Sequence, residues 1–226
     1  MTATDARPMR KDAARNRELL IAAGRDVFAR RGLDASLDDV ARQAGVGIGT
    51  AYRHFANKFE LADAIMKKVL DEVLTVARDA AEADDPWAGL VGFLEFVLEL
   101  QTKDRGLREA MMGIAGNRPD HDEAHHQAHD QIAEPVTGLL RRAQEAGRVR
   151  ADAVMSDLGC VVMMLCQVAD LGGSAAPDLW RRYLPTLLAT LRPDGPELPG
   201  TPLTDEQFEA AAQAMKRSAR AQLNSS

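Results

Sequence analysis

The chain has 226 residues, 46% hydrophobic, 27% charged and only 4% aromatic, with two cysteines and a formal net charge of −6. Such a composition is too poor in rings for a β-sandwich and too apolar for a disordered chain, so helices are the default, in one large domain or two small ones. The longest uninterrupted apolar run, 160–166 between Gly159 and Gln167, is far short of the roughly 20 residues of a membrane span. Residues 1–18 lack the apolar centre of a secretion signal. A soluble, cytoplasmic protein is predicted, with no membrane partner and with Cys160 and Cys166 as free thiols in a reducing compartment.

Charge is unevenly spread. Residues 1–60 hold eleven basic and eight acidic side chains, a balance of +3, which leaves −9 for the remainder. A basic head on an acidic body suggests that one end meets a polyanion.

From Asp12 the apolar residues Leu20, Ile21, Val27 and Phe28 recur at helical spacing. Gly24 leaves room for a close neighbour, and Arg30, Arg31 and Gly32 form a helix stop. Before this helix, Arg7, Arg10 and Lys11 read as a flexible arm for a DNA backbone or minor groove, or as a solvated tail. Ser36 is a good N-cap for a second, short helix, with Asp38 and Asp39 in its first turn and Leu37, Val40 and Ala41 facing inward. Gly45 and Val46 follow, then a third short helix ending in Tyr52, Arg53, His54 and Phe55. Two short helices crossing steeply need a small side chain at the crossing and a residue tolerant of positive φ in the turn. Ala41 and Gly45 meet both demands, which is the spacing of a helix-turn-helix. Phe55 and Val46 read as core. Asn57 caps a fourth helix, with Glu60 completing a capping box and Leu61, Ile65 and Val69 as its apolar stripe.

The segments 20–28 (LIAAGRDVF) and 49–58 (GTAYRHFANK), with Gly32, Ser36, Val40, Ala41, Gly45 and Val46 between them, resemble the N-terminal domain of the tetracycline-repressor (TetR) family over about residues 13–65. The resemblance implies an all-α homodimer that regulates transcription, usually a repressor leaving its operator when a small molecule enters the C-terminal domain. It divides the chain into a DNA-binding domain with a basic arm, 1–57, and a helical ligand-binding and dimerisation domain, 58–226.

A reading helix offers short side chains to base edges at its N-terminal turn and longer donors to phosphates further on. Thr50 is the candidate for a base or phosphate hydrogen bond, Ile48 for a thymine methyl, and Arg42 for a base or phosphate. Tyr52, His54 and Lys58 match phosphate-binding positions of the family, with Arg53 as a further candidate. Gly47 and Ile48 stand where polar or basic residues are usual in the family, which predicts sparse base readout.

Beyond the head, residues 57–83 read as one amphipathic helix ended by Asp84, Asp85 and Pro86, and 87–100 as a helix apolar nearly all round. A shorter helical segment is expected at 105–114, a loop at 116–120 and a helix to Ala146 with a kink at Pro135. Helices at 153–171 and 177–191 form, by resemblance, an isologous four-helix dimer interface. A linker rich in glycine and proline, 195–202, leads to an extra helix capped by Thr204 and Gln207. Its face is Phe208, Ala211, Ala212 and Met215, with no docking place readable. The candidate pocket residues are Trp87, Leu90, Phe93, Leu94, Phe96, Met111, Met112, Met164 and Gln167, equally readable as plain core. Their few charges suggest an apolar or aromatic effector.

His121, His125 and His129 share one helical face, with His126 and Glu123 nearby, a spacing that can grip zinc or nickel but also fits an exposed polar helix start. A metal-responsive regulator is one alternative, and a dimeric interaction protein with a weakened DNA-reading head is another. No glycine-rich phosphate loop, Gly-x-Ser-x-Gly elbow or His-Glu-x-x-His is present, so neither an enzyme nor a cofactor is expected.

Overall fold

The computed structural model describes residues 6–103 and 119–208, with 210, 211 and 214, and among them there are helices and no strands. The described residues form two compact units, 6–69 with Lys103, and 70–102 with 119–208.

In the first unit α1 (Ala6–Arg31) is followed by a single 3₁₀ turn (Gly32–Asp34), α2 (Leu37–Ala44), α3 (Ile48–His54) and the start of α4 (Lys58–Glu82). Helix α1 begins earlier than the apolar periodicity suggests, so Arg7, Arg10 and Lys11 belong to a helix and not to an irregular arm. Pro8 does not prevent this, because the first-turn N–H groups of a helix have no intrahelical partner to lose. Leu20, Val40, Ala41, Ala51 and Leu61 are fully buried, with Ile21, Val27, Phe28, Phe55 and Ile65 beside them. Truncating a side chain such as Leu20 or Leu61 to alanine costs about 2–5 kcal/mol. Helix α1 and α4 approach closely at Gly24, where a Cβ would lie 2.9 Å from Ile65 Cδ1 and 3.0 Å from Leu61 Cδ2. Val46, expected in the core, is only half-buried, since it lies in the short turn between α2 and α3.

Helix starts follow local chemistry. The Ser36 hydroxyl accepts from Asp39 N at 3.1 Å while Asp39 Oδ2 accepts from Ser36 N at 3.0 Å, a reciprocal capping box at α2. Gly45 closes α2 in the left-handed region, φ 65° and ψ 26°, and Val46 N donates to Ala41 O at 3.0 Å. At α4, Asn57 Oδ1 accepts from Phe59 N and Glu60 N at 2.9 and 3.0 Å. Glu60 reaches back one residue further than expected, to Ala56 N at 2.9 Å.

The second unit holds the rest of α4 with α5 (Pro86–Lys103), α6 (Pro119–Glu145), α7 (Met155–Gly172) and α8 (Leu179–Thr190). Pro86 occupies the first position of α5, and Asp85 Oδ1 accepts from Trp87 N at 3.0 Å to cap it. Pro119, expected in a loop, likewise opens α6, and Pro135 lies inside that helix. Helix α5 buries one face, Leu90, Phe93, Leu94, Leu98 and Leu100, against the expectation of burial all round. The close approach is again at a glycine: a Cβ on Gly89 would lie 2.6 Å from Ala80 O. The Arg142 guanidinium caps the end of α4, donating to the carbonyls of Ala81 and Ala83. Gln144 Nε2 donates to the carbonyls of Arg150 and Ala153 at 3.1 and 2.9 Å and shapes the loop into α7.

Helix α7 has the length and apolarity of a spanning segment, with mean hydropathy 1.4 over 18 residues. It packs on α8 and buries Leu158, Val161, Leu165 and Ala169, while Asp157 and Asp170 interrupt it. One side of it is packed in this unit, and the other is exposed at Met164, Gln167 and Leu171. The segment after the linker docks on its N-terminal half. Ser156 Oγ donates to Leu203 O at 2.8 Å, and the Phe208 ring rests on Gly159, where a Cβ would lie 2.3 Å from Phe208 Cζ. Thr204 and Gln207 cap that segment as expected, at 3.0 and 3.2 Å.

Candidate nucleic-acid interface

Helix α3 rests on the core through Ala51 and, at its C-cap, Phe55, both buried, which leaves Ile48, Gly49, Tyr52 and Arg53 outside. Ile48 is 45% exposed and Tyr52 49%. A branched apolar side chain and a phenol thus stand one turn apart on an exposed seven-residue helix, one able to make apolar contacts and the other to donate a hydrogen bond.

Thr50 and Arg53 act together. Arg53 Nη2 donates to Thr50 Oγ1 at 2.8 Å and Arg53 Nε to Gly49 O at 3.2 Å, folding the guanidinium back along its own helix. The Thr50 oxygen is therefore an acceptor here and its own proton is free to point elsewhere.

Tyr52 is coupled to α2. A hydrogen bond to the Asp38 carboxylate, and then its negative charge, raise the phenol pKa above the ordinary 10.0. Asp38 Oδ1 is buried and has no hydrogen-bond partner of its own. Asp38 reads from the sequence only as a first-turn carboxylate favoured by the helix dipole. Its meeting with Tyr52 depends on the crossing of two helices.

Arg42 Nη1 lies 3.2 Å from Asp39 Oδ1, and Arg31 Nη2 lies 3.5 Å from Asp39 Oδ2. Hydrogen bonds from the Ser36 backbone and hydroxyl, outweighing slight desolvation and helped by the two arginines, hold the Asp39 pKa at about 2. Lys58 Nζ donates to Leu33 O at 2.6 Å and lies 5.5 Å from the centre of the Phe59 ring. With Asn57 occupying two N–H groups of α4, that helix start is already partly satisfied, and Lys58 keeps its two remaining donors. His54 is half-buried.

Of the pocket candidates, Leu90, Phe93 and Leu94 are buried on α5, while Trp87 and Phe96 are half-buried. Arg192 stacks on the Trp87 ring at 4.7 Å. Met164 and Gln167 are exposed on α7, on the side away from Leu158, Val161 and Leu165. Met111 and Met112 lie outside the described residues, as do the side chains of His121, His125, His126, His129 and Glu123, whose backbone belongs to α6. Among the described residues, no group of three or more metal-ligating side chains comes together.

Two family models match the chain. The model for bacterial regulatory proteins of the tetR family covers residues 20–65, and that for the C-terminal domain of SbtR-like transcriptional regulators covers 85–193. A TetR transcription regulatory protein from Mycobacterium vanbaalenii is 32% identical, with 73% of this chain and 98% of that one aligned at a TM-score of 0.57. The TetR regulator SCO0520 from Streptomyces coelicolor is 25% identical over 79% of this chain and 99% of its own, at 0.62. Among curated proteins, the HTH-type transcriptional regulator SAR0097 of Staphylococcus aureus is 34% identical over 84 residues. That match spans 36% of this chain and 44% of the relative. A helix-turn-helix head followed by a matching helical C-terminal domain is found along the chain: this protein belongs to the TetR family of transcriptional regulators.

Proposed function

We propose that the protein is a ligand-responsive, sequence-specific DNA-binding repressor that acts as a homodimer. It leaves a palindromic operator when a small apolar or aromatic molecule binds the C-terminal domain. The observation that carries this reading is the exposed face of α3, where Ile48 and Tyr52 project from a helix whose other side is fixed by Ala51 and Phe55. In this reading residues 1–57 form the DNA-binding module and 58–226 the effector and dimerisation module. Ile48 and Thr50 contact bases, and Arg42, Tyr52, Arg53, His54 and Lys58 hold phosphates. The effector is received by the α5 residues Trp87, Leu90, Phe93, Leu94 and Phe96 with Met111 and Met112.

Support for a two-fold partner comes from α7 and α8. Cys160, Met164, Gln167 and Leu171 fall on one helical stripe. Met164, Leu171 and Tyr183 are 46%, 82% and 44% exposed in the single chain, apolar surface that a second copy would cover. A symmetric dimer also doubles a recognition site that one short helix reads over only a few base pairs. We assign the protein to the cytoplasm, with no catalytic activity and no cofactor.

The test is selection of bound duplexes from a random DNA pool near physiological salt, followed by anisotropy titration of the enriched sequence. An inverted repeat whose binding is lost on Tyr52→Ala or Ile48→Ala is expected. No enrichment by dimeric, ligand-free protein refutes the reading.

A further inference from the structure

Beside the reading face, α1 and α2 border an open surface hollow of about 410 Å³ lined by Val27, Arg30, Arg31, Asp39, Arg42 and Gln43. Three guanidinium groups from two helices share it with one carboxylate and one amide. Asp39 is locked in the capping box and stays ionised, so it aligns Arg31 and Arg42 from either side. Each arginine gives it one close contact, out of five N–H donors. Arg30, one residue from Arg31 and exposed, has no ion pair among the described residues. Two helix C-termini end near these side chains, each equivalent to roughly half a negative charge. Three positive charges against Asp39 and both helix ends leave the hollow positive by about one charge. Neutralising the helix ends therefore does not account for all three arginines.

We infer that this hollow is a phosphate seat, in which Arg30, Arg31 and Arg42 hold a phosphodiester of the DNA backbone beside the stretch read by α3. Its position favours DNA as the source of that phosphate. Arg42 lies one helical turn from Asp38 on α2, and Asp38 is the residue that meets Tyr52 on α3. Planar guanidinium groups suit a phosphate's paired oxygens better than ammonium groups do, and Gln43 supplies a neutral donor at the rim. The contact reads no base. It sets register and affinity while Ile48 and Thr50 discriminate.

This inference rests on the DNA-binding reading above, and the experiment separates the two. Full-length wild type, Arg30→Gln, Arg31→Gln and the double variant are titrated by anisotropy against the enriched duplex and a scrambled duplex at several salt concentrations. Thermal melts followed by circular dichroism verify folding; Arg30→Gln breaks no ion pair among the described residues and serves as the variant safest for the fold. Loss of one phosphate contact lowers the slope of log K against log salt by about one. Each protomer seats one phosphate, so loss of both seats in a dimer lowers the slope by about two, the fall expected of the double variant, with the same fold-loss on both duplexes, and Arg30→Lys should keep the Arg30 share of the slope. An unchanged slope in folded variants of a protein that binds its operator overturns the phosphate seat and leaves the function standing. If calorimetry shows that inorganic phosphate binds wild type while the DNA slope is unmoved, the site serves a free anion and the inference fails. If wild type binds no duplex, both readings fall.

Discussion

Gly45 offers a quantitative test of how the helix-turn-helix is held. Its φ of 65° and ψ of 26° lie in the left-handed region, and a Cβ built there meets nothing within 4 Å. Alanine at this position therefore suffers no collision, and the cost is purely conformational, about 1–2 kcal/mol for an L-residue in that region. Restriction of the unfolded chain offsets roughly 0.4–1 kcal/mol of it. The net expectation for Gly45→Ala is a loss of about 1 kcal/mol. Asparagine tolerates the left-handed region better than alanine, so Gly45→Asn should lose less. Urea unfolding followed by circular dichroism measures both, and for a chain of this length 1 kcal/mol corresponds to roughly 2–4 °C in Tm. Because Gly45 N and Val46 N both bond back to α2, any relaxation of the turn tilts α3, and operator affinity should fall in the same order. Gly45→Ala as stable as wild type, or Gly45→Asn no better than alanine, would refute the conformational account.

Asp38→Asn should lower the Tyr52 pKa toward its ordinary value, read in an ultraviolet phenolate titration in a Tyr183→Phe background that leaves Tyr52 as the single tyrosine. Removing a negative charge beside a phosphate-binding phenol should also tighten DNA binding by about 1 kcal/mol, roughly fivefold; weaker binding would count against Tyr52 as a phosphate contact. Asp39, held at about pKa 2 against 3.8 unperturbed, binds more protons unfolded than folded over that range, so its contribution to stability is present above about pH 4 and lost as pH falls toward 2. The Tm difference between wild type and Asp39→Asn should shrink across that window, and a constant difference would contradict it. Gly159→Ala places a Cβ against the tip of the Phe208 ring, 2.3 Å from Cζ, while gaining about 1 kcal/mol of helix propensity. Overall stability should change by less than about 1 kcal/mol while limited proteolysis at 195–204 speeds up; an unchanged cleavage rate would mean that Phe208 is not the anchor.

The head of this protein is legible because its rules are local. Ser36 and Asn57 cap helices through groups two or three residues away, and Gly45 answers a backbone demand that its own φ states. The spacing of Ala41 and Gly45 needs no distant partner to be read. Where the periodicity fails, a helix is apolar on more than one side. In α7 the pattern does not say which stripe turns inward, and Met164 and Gln167 prove exposed while Leu165 and Val161 are buried. The beginning of α1 escapes the pattern for another reason, since its first turns carry few apolar residues to reveal a period.

Other features arise only where separate helices meet. Asp38 reaches Tyr52, Lys58 reaches the Leu33 carbonyl, and Arg31 and Arg42 share Asp39 because α1, α2, α3 and the start of α4 cross at particular angles. The docking of Phe208 on Gly159 joins a helix to a segment beyond a long linker. Capping, turn chemistry and helical periodicity act within a turn or two of the chain and are written in residue order. Side-chain partners across a crossing depend on the rotation and separation of whole helices, which many small packing contacts determine together and no short stretch of sequence contains.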